Sequence, residues 1–208
     1  DLVKLQEEGK LERCHGGAVA KQEENYAQKQ TSNKNEKEKI AGMCASFVSE
    51  GDIIFLDAGT TTYEIAKRIK GIKNTLIVTN DLEIARLLED GEPELFICGV
   101  QKSTGSMFGR YAAEMLADFK FDLGFFGAAS INDAFEVTTP TIEKMRVKRE
   151  TPKQCRKAYL AVDHSKFEKQ AMAKVNCLGD YTGVVTDQKF TEKDRKFLNE
   201  MGAVIIEV

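Results

Sequence analysis

Asp57-Ala-Gly-Thr-Thr-Thr62 is the stretch of this sequence best equipped for chemistry. A carboxylate, a glycine and three consecutive hydroxyls follow the apolar run Ile53 to Leu56. A helical pattern with Ile65, Ala66 and Ile69 on one face comes next. A strand, a short polar turn and a helix aim free backbone N–H groups at one point in space. Thr60, Thr61 and Thr62 add hydroxyl donors there, so the stretch suits a phosphate. The plainer reading is that one threonine simply caps the helix, a role Ser and Thr fill often.

Other chemistries find less support. The two histidines, His15 and His164, are far apart with no second ligand at metal spacing, so no metal site is expected. The five cysteines at 14, 44, 98, 155 and 177 include no Cys-x-x-Cys pair. Cys44 and Cys98 read as small buried hydrophobes, and reduced thiols in a cytoplasmic protein fit best. With 30 basic and 33 acidic residues the net charge is −3, which gives no global field to draw in nucleic acid. No apolar run approaches the roughly 18 residues of a membrane span, so no membrane partner is expected.

The elements that must position the threonine loop emerge from periodicity. At 208 residues the chain can bury one sizeable core, alone or with a small appendage. Strand-like runs at Ile53–Asp57, Thr75–Thr79, Glu94–Gly99, Asp122–Gly127, Ala158–Asp163, Gly183–Thr186 and Ala203–Val208 alternate with helical stretches. The helices are expected at about 61–70, 81–90, 109–118, 140–156 and 191–201, with Pro152 breaking or ending the fourth. A preceding helix begins near Asn35, where Asn35 and Glu38 can form a cap, carries Ile40, Met43, Cys44, Phe47 and Val48, and stops at Gly51.

Such alternation predicts an α/β fold, a mostly parallel sheet flanked by helices on both faces. Ligands of these sheets bind beyond the carboxyl ends of the strands. Polar and glycine residues do gather there: Asp57–Thr62, Thr79-Asn80-Asp81, Gly99, Gly127–Ser130, Asp163-His-Ser-Lys166 and Thr186-Asp187. Each alone reads as an ordinary turn or cap. Their shared rim favours a site.

Upstream, Asp1 to Gly9 reads as the end of an amphipathic helix, and Lys10 to Val19 as a short strand turning at Gly16-Gly17. Residues 20–34 have little apolar content and read as a linker or solvated helix. The expected organisation is therefore 1–19, a remnant of a larger domain; 20–34, a linker; and 35–208, the body.

The motifs together resemble the DeoR family of bacterial transcription factors. Asp1-Leu-x-x-Leu-x-x-x-Gly-x-Leu-x-Arg-x-His-Gly-Gly-Ala18 resembles the end of that family's winged helix-turn-helix. Gly51-Asp-x-Ile-Phe-Leu-Asp-x-Gly-Thr-Thr-Thr62, Val78-Thr-Asn80, Gly127-Ala128, Val147-Lys-Arg149, Asp163-x-Ser-Lys-Phe167 and Val185-Thr-Asp187 resemble its effector domain in order. The resemblance implies a sugar-phosphate isomerase/CoA-transferase-like sensor fold. It also implies a phosphorylated sugar effector, homo-oligomerisation, and repression of a sugar-catabolic operon through operator DNA, with no cofactor.

By the same resemblance Gly59 and Thr60–Thr62 hold phosphate, and Asp57 and Asn80 meet sugar hydroxyls or orient the loop. Lys148 and Lys166 supply positive charge, and Gly99, Gly127 and Asp163 complete the site. Lys166 also has a physical warrant, since it follows the strand-end Asp163 and its ammonium can serve phosphate as a point charge. Departures occur at Val100 and Glu136, where the family often has glycine. Where the family has a glutamate before Val-Lys, this chain leaves either Glu143 or Lys144 to face the ligand. Two alternatives stand beside the regulator: a sugar-phosphate isomerase or deaminase with Asp57, Asp163 or Glu143 as general base, and a dimerisation module with a vestigial pocket.

Overall fold

β1 (Leu11–Cys14) and β2 (Gly17–Ala20) pair antiparallel, with Cys14 opposite Gly17, and α1 (Tyr26–Thr31) comes after them. They belong to the first of two compact units into which the chain divides, between Ser32 and Asn33. The computed structural model describes residues 11–14, 17–20, 26–98, 102–103, 106–107 and 109–208. The helix expected over residues 1–9, His15 and the site candidate Gly99 lie outside them.

The second unit alternates as the periodicity requires. Its elements are α2 (Lys34–Ala45), β3 (Ile53–Leu56), α3 (Thr60–Ile69), β4 (Leu76–Thr79), α4 (Leu82–Leu88) and β5 (Glu94–Ile97). The small hairpin β6 (Lys102–Ser103) and β7 (Ser106–Met107) comes next, then α5 (Arg110–Ala117), β8 (Phe121–Phe126), β9 (Ser130–Ile131), β10 (Glu136–Thr139) and α6 (Ile142–Glu150). β11 (Cys155–Ala161), β12 (Ala173–Cys177), β13 (Gly183–Thr186), α7 (Glu192–Glu200) and β14 (Ile205–Glu207) complete it.

Seven strands form one sheet in the order β14-β13-β11-β8-β3-β4-β5, and every neighbouring pair is parallel. Side chains alternate across it. Ile54 and Leu56 join Ile40, Ile65, Ile69, Ile84 and Leu88 on one face. Phe55 joins Leu116, Val147 and Leu198 on the other. Burial on both faces is why the strands read as continuous apolar runs and not as alternating ones. The edge strands β5 and β14 are the exceptions, with Phe96 and Ile97 exposed in the first and Glu207 in the second.

Four local expectations are corrected. α2 starts at Lys34 behind Asn33, which has φ 50° and lends no side-chain cap, so Asn35 and Glu38 do not form one. That helix ends at Ala45 with Ser46 as its cap; Gly51, with φ 89°, turns the chain into β3 instead. The single helix expected over 140–156 is shorter: α6 stops at Glu150, and Thr151–Gln154 tightens to a 3₁₀ turn around Pro152. Proline lacks the N–H that an α-helix interior needs. β11 accordingly begins at Cys155, before the expected Ala158. A second sheet, β12-β10-β9, is antiparallel and was not expected, because strands of two to five residues leave almost no periodic signal.

Candidate functional site

The sheet order reverses between β3 and β8. From the central β3 the chain moves outward through β4 and β5, then returns to β8 on the opposite side and continues to β14. Crevices at such switch points are where open α/β sheets bind ligands. The residues leaving these two strands are Asp57 and Gly127, and they meet. The Gly127 N–H donates to Asp57 Oδ2 at 3.3 Å, while the Asp57 N–H extends the ladder to the Phe125 carbonyl at 3.0 Å.

Lys148 reaches the same point from α6. Its ammonium pairs with Asp57 Oδ2 and donates to the Gly127 carbonyl at 2.7 Å. The pair is buried, with Asp57 at 0% and Lys148 at 8% exposure, so water screens it little. The other Asp57 oxygen, Oδ1, is buried without a hydrogen-bond partner. A buried polar atom left open costs free energy until something fills it.

The threonine loop is held open from beneath. Gly59 stands at the N-cap of α3 and has no side chain with which to cap it, so the first helical N–H groups, those of Thr60, Thr61 and Thr62, carry the orphan donors and positive end of the helix dipole. All three threonines are buried at 9% exposure or less, and Thr62 Oγ1 donates to the Gly59 carbonyl at 2.8 Å. Two neighbours of the next strand end fix the loop's path. Asn80 Oδ1 accepts from Ala58 N–H at 2.9 Å, and Asp81 Oδ2 accepts from Gly59 N–H at 3.1 Å.

Asp81 also caps α4 through Glu83 and Ile84. Burial pushes its carboxyl up to about 6 against the pull of these three N–H donors. Sequence reasoning places Asp81 only within a polar turn. Its position just before an amphipathic helix is the signature of an N-cap and was the available signal. Thr79, whose hydroxyl donates to the Leu56 carbonyl at 2.8 Å, and Thr139, whose Oγ1 is buried without a partner, were also missed as candidates.

The rim continues two strands away. Asp163 follows β11, is fully buried, and caps the 3₁₀ turn His164–Lys166 by accepting from Ser165 N–H at 3.0 Å. Asn33 Nδ2 donates to the same oxygen at 3.0 Å. Its second oxygen is buried and unpartnered. Lys166 is half-buried and forms no ion pair among the described residues. His164 binds Asp187 twice, by N–H to Oδ1 at 2.8 Å and Nδ1 to Oδ2 at 2.6 Å, and that carboxylate holds its imidazole above the usual histidine range. At the start of α6, Lys144 is buried and Glu143 exposed, which leaves Glu143 poorly placed as a base. Burial pushes the Cys44 and Cys98 thiols up to about 12, which makes them inert.

Thus Asp57, Gly127 and Lys148 are joined by direct contacts, and Gly59 and Thr60–Thr62 follow Asp57 in the loop that Asn80 holds through Ala58. No contact joins Asp163 or Lys166 to Asp57, Gly127 or Lys148 among the described residues. Among the described residues no group of three or more His, Cys, Asp or Glu could hold a metal ion. No described helix is long and apolar enough to cross a membrane.

A parallel α/β domain with an uncapped, threonine-lined helix end at its switch point is an architecture that suits a small anionic ligand. Residues 32–188 match the DeoR C terminal sensor domain. The chain belongs to the DeoR family of transcriptional regulators. It is 33% identical over 193 residues to the HTH-type transcriptional regulator FruR of Bacillus subtilis, covering 90% of this chain and 77% of that one. To the glycerol-3-phosphate regulon repressor of Escherichia coli it is 28% identical over 193 residues, with the same coverages. These relatives are named as regulators, not as enzymes. In fold it resembles the eIF2B delta subunit of Chaetomium thermophilum, with a TM-score of 0.57 at 15% identity over 77% of this chain and 58% of that one.

Proposed function

We propose that residues 35–208, within the second compact unit, sense a phosphorylated sugar for a repressor of a sugar-catabolic operon. The observation that carries this reading is the pairing of an anion-ready helix end, Gly59 to Thr62, with the open Asp57 carboxylate oxygen beside it. The phosphate sits on the N–H groups of Thr60, Thr61 and Thr62 and on the hydroxyls of Thr60 and Thr61, the Thr62 hydroxyl being spent on the Gly59 carbonyl. Asp57 Oδ1 accepts a sugar hydroxyl, and Lys148 keeps that carboxylate neutralised. The relative named for a glycerol-3-phosphate regulon supports an effector of this class.

In the proposed protein residues 1–19 are the end of a winged helix-turn-helix that reads operator DNA in the cytoplasm, 20–34 are the linker, and copies of the chain assemble as a homo-oligomer. Effector and DNA are coupled only as far as the effector binds the two states of the assembly differently.

Thermal denaturation with a panel of pentose, hexose and triose phosphates tests the site. A ligand at 100 times its dissociation constant stabilises the fold by about 2.7 kcal/mol. Thr61→Val removes one donor and weakens phosphorylated ligands far more than their unphosphorylated counterparts. Equal loss for both, or no shift with any phosphate, refutes the phosphate assignment, and the second outcome favours a vestigial pocket. Steady turnover of any sugar phosphate in the panel would instead favour the isomerase reading.

A further inference from the structure

Asn33 is placed oddly for its chemistry. It stands at the N-cap of the 12-residue α2, where an asparagine normally turns its side chain back onto the first helical N–H groups. Here it adopts a left-handed backbone with φ 50°, caps nothing, and sends its amide across 130 residues of sequence to Asp163. It is also the first residue of the second unit, joined by one peptide bond to Ser32 at the end of the first.

Asp163 explains why a donor is spent there. Its carboxylate is fully buried and has no ion-pair partner among the described residues. Oδ1 takes both available donors, Ser165 N–H and Asn33 Nδ2. Loading one oxygen with two hydrogen bonds fixes the plane of the group and leaves Oδ2 buried and open. A buried carboxylate oxygen without a partner demands a donor. A ligand carboxylate would add a second buried negative charge and be repelled.

We infer that Asn33 is a positioning residue of the effector site: it aims Asp163 Oδ2 at a hydroxyl of the phosphorylated sugar, so that occupancy is felt at the residue where the chain passes into the N-terminal unit. The inference rests on the phosphorylated-sugar reading and deepens it. The class it selects is a phosphate ester carrying neutral hydroxyls, over the corresponding sugar acid.

The test uses the full chain, titrated calorimetrically with inorganic phosphate and with the panel sugar phosphate that gives the largest thermal shift. Asn33→Gly keeps the left-handed backbone accessible, since glycine has no penalty there, and removes only the side chain. Asn33→Gly is expected to weaken the sugar phosphate at least tenfold and leave inorganic phosphate unchanged. Asp163→Ala gives the same selective loss, and the double variant loses no more than either single one, because both act through one contact. Urea midpoints confirm that each variant is folded. Equal loss for phosphate and sugar phosphate, no loss for either, or additive losses in the double variant overturn the inference. If the unaltered chain binds neither probe, the phosphorylated-sugar reading fails first and takes this one with it.

Discussion

Replacing Lys148 by methionine probes the centre of the site most directly. Methionine keeps the length and much of the apolar contact of the side chain while deleting its charge. What remains is the Asp57 carboxylate at 0% exposure, with one N–H from Gly127 at 3.3 Å and an oxygen already without a partner. The Gly127 carbonyl also loses the donor it held at 2.7 Å. Breaking one side of a buried pair costs about 3–5 kcal/mol, chiefly because the surviving charge stays buried alone. At about 2–4 °C per kcal/mol for a domain of this size, the melting temperature falls by roughly 6–20 °C. The chain has no tryptophan, so urea unfolding is best followed by far-ultraviolet circular dichroism, with an unchanged m-value showing that the same surface is exposed. Adding Asp57→Asn to Lys148→Met is expected to recover most of the loss. A cost below about 1 kcal/mol, the range of surface pairs, would refute the description of this pair as buried and coupled. A double variant worse than Lys148→Met would refute the attribution of the cost to the stranded carboxylate.

Two further outcomes concern stability away from that pair. Burial pushes Asp81 up to about 6, above the ~3.9 of an unfolded aspartate, so the native state retains a proton that the unfolded state has released. The stability this contributes is complete below about pH 4 and is lost as pH rises through about 6, with a limiting slope near 1.4 kcal/mol per pH unit. Urea midpoints between pH 4 and 7 should therefore fall more steeply for the unaltered chain than for Asp81→Asn; parallel profiles would remove Asp81 from the account. Gly179 lies in the turn after β12, where a Cβ would sit 2.1 Å from the Met201 carbonyl oxygen. Gly179→Ala should cost about 1–3 kcal/mol by overpacking against backbone, whereas Gly71→Ala, with open space around it, should change stability by under about 0.5 kcal/mol. Similar urea midpoints for the two variants would contradict the close approach.

The legible parts of this protein are the ones whose causes are local. An apolar run leading into Asp57-Ala-Gly-Thr-Thr-Thr62 specifies strand, loop and helix within a short stretch, because periodicity and backbone donors act over one or two turns of chain. The central parallel strands were readable for the same reason: burial on both faces makes nearly every position of their buried stretches apolar. Asn80 and Gly127 were readable as strand-end residues, and the motif resemblance placed Lys148 among them.

Tertiary structure decided the rest. Asp57 and Lys148 are 91 residues apart, and nothing local to either says that they share a buried site. Asn33 reads as a linker residue among polar neighbours; only the folded chain brings it to Asp163. The antiparallel sheet β12-β10-β9 is built from strands too short to carry a pattern, held by register against one another and by Arg149 on the Val175 carbonyl at 3.1 Å. That Lys144 is buried and Glu143 exposed turned on the angular setting of α6, which packing against the core fixes through Val147. Sequence by itself determines the features that neighbours along the chain dictate: the sheet's strands, and a threonine loop leading into a helix at the end of one. Which charges are paired and which carboxylate oxygens remain open depends on neighbours across the sheet, because a buried charge is governed by whatever lies within a few ångströms of it.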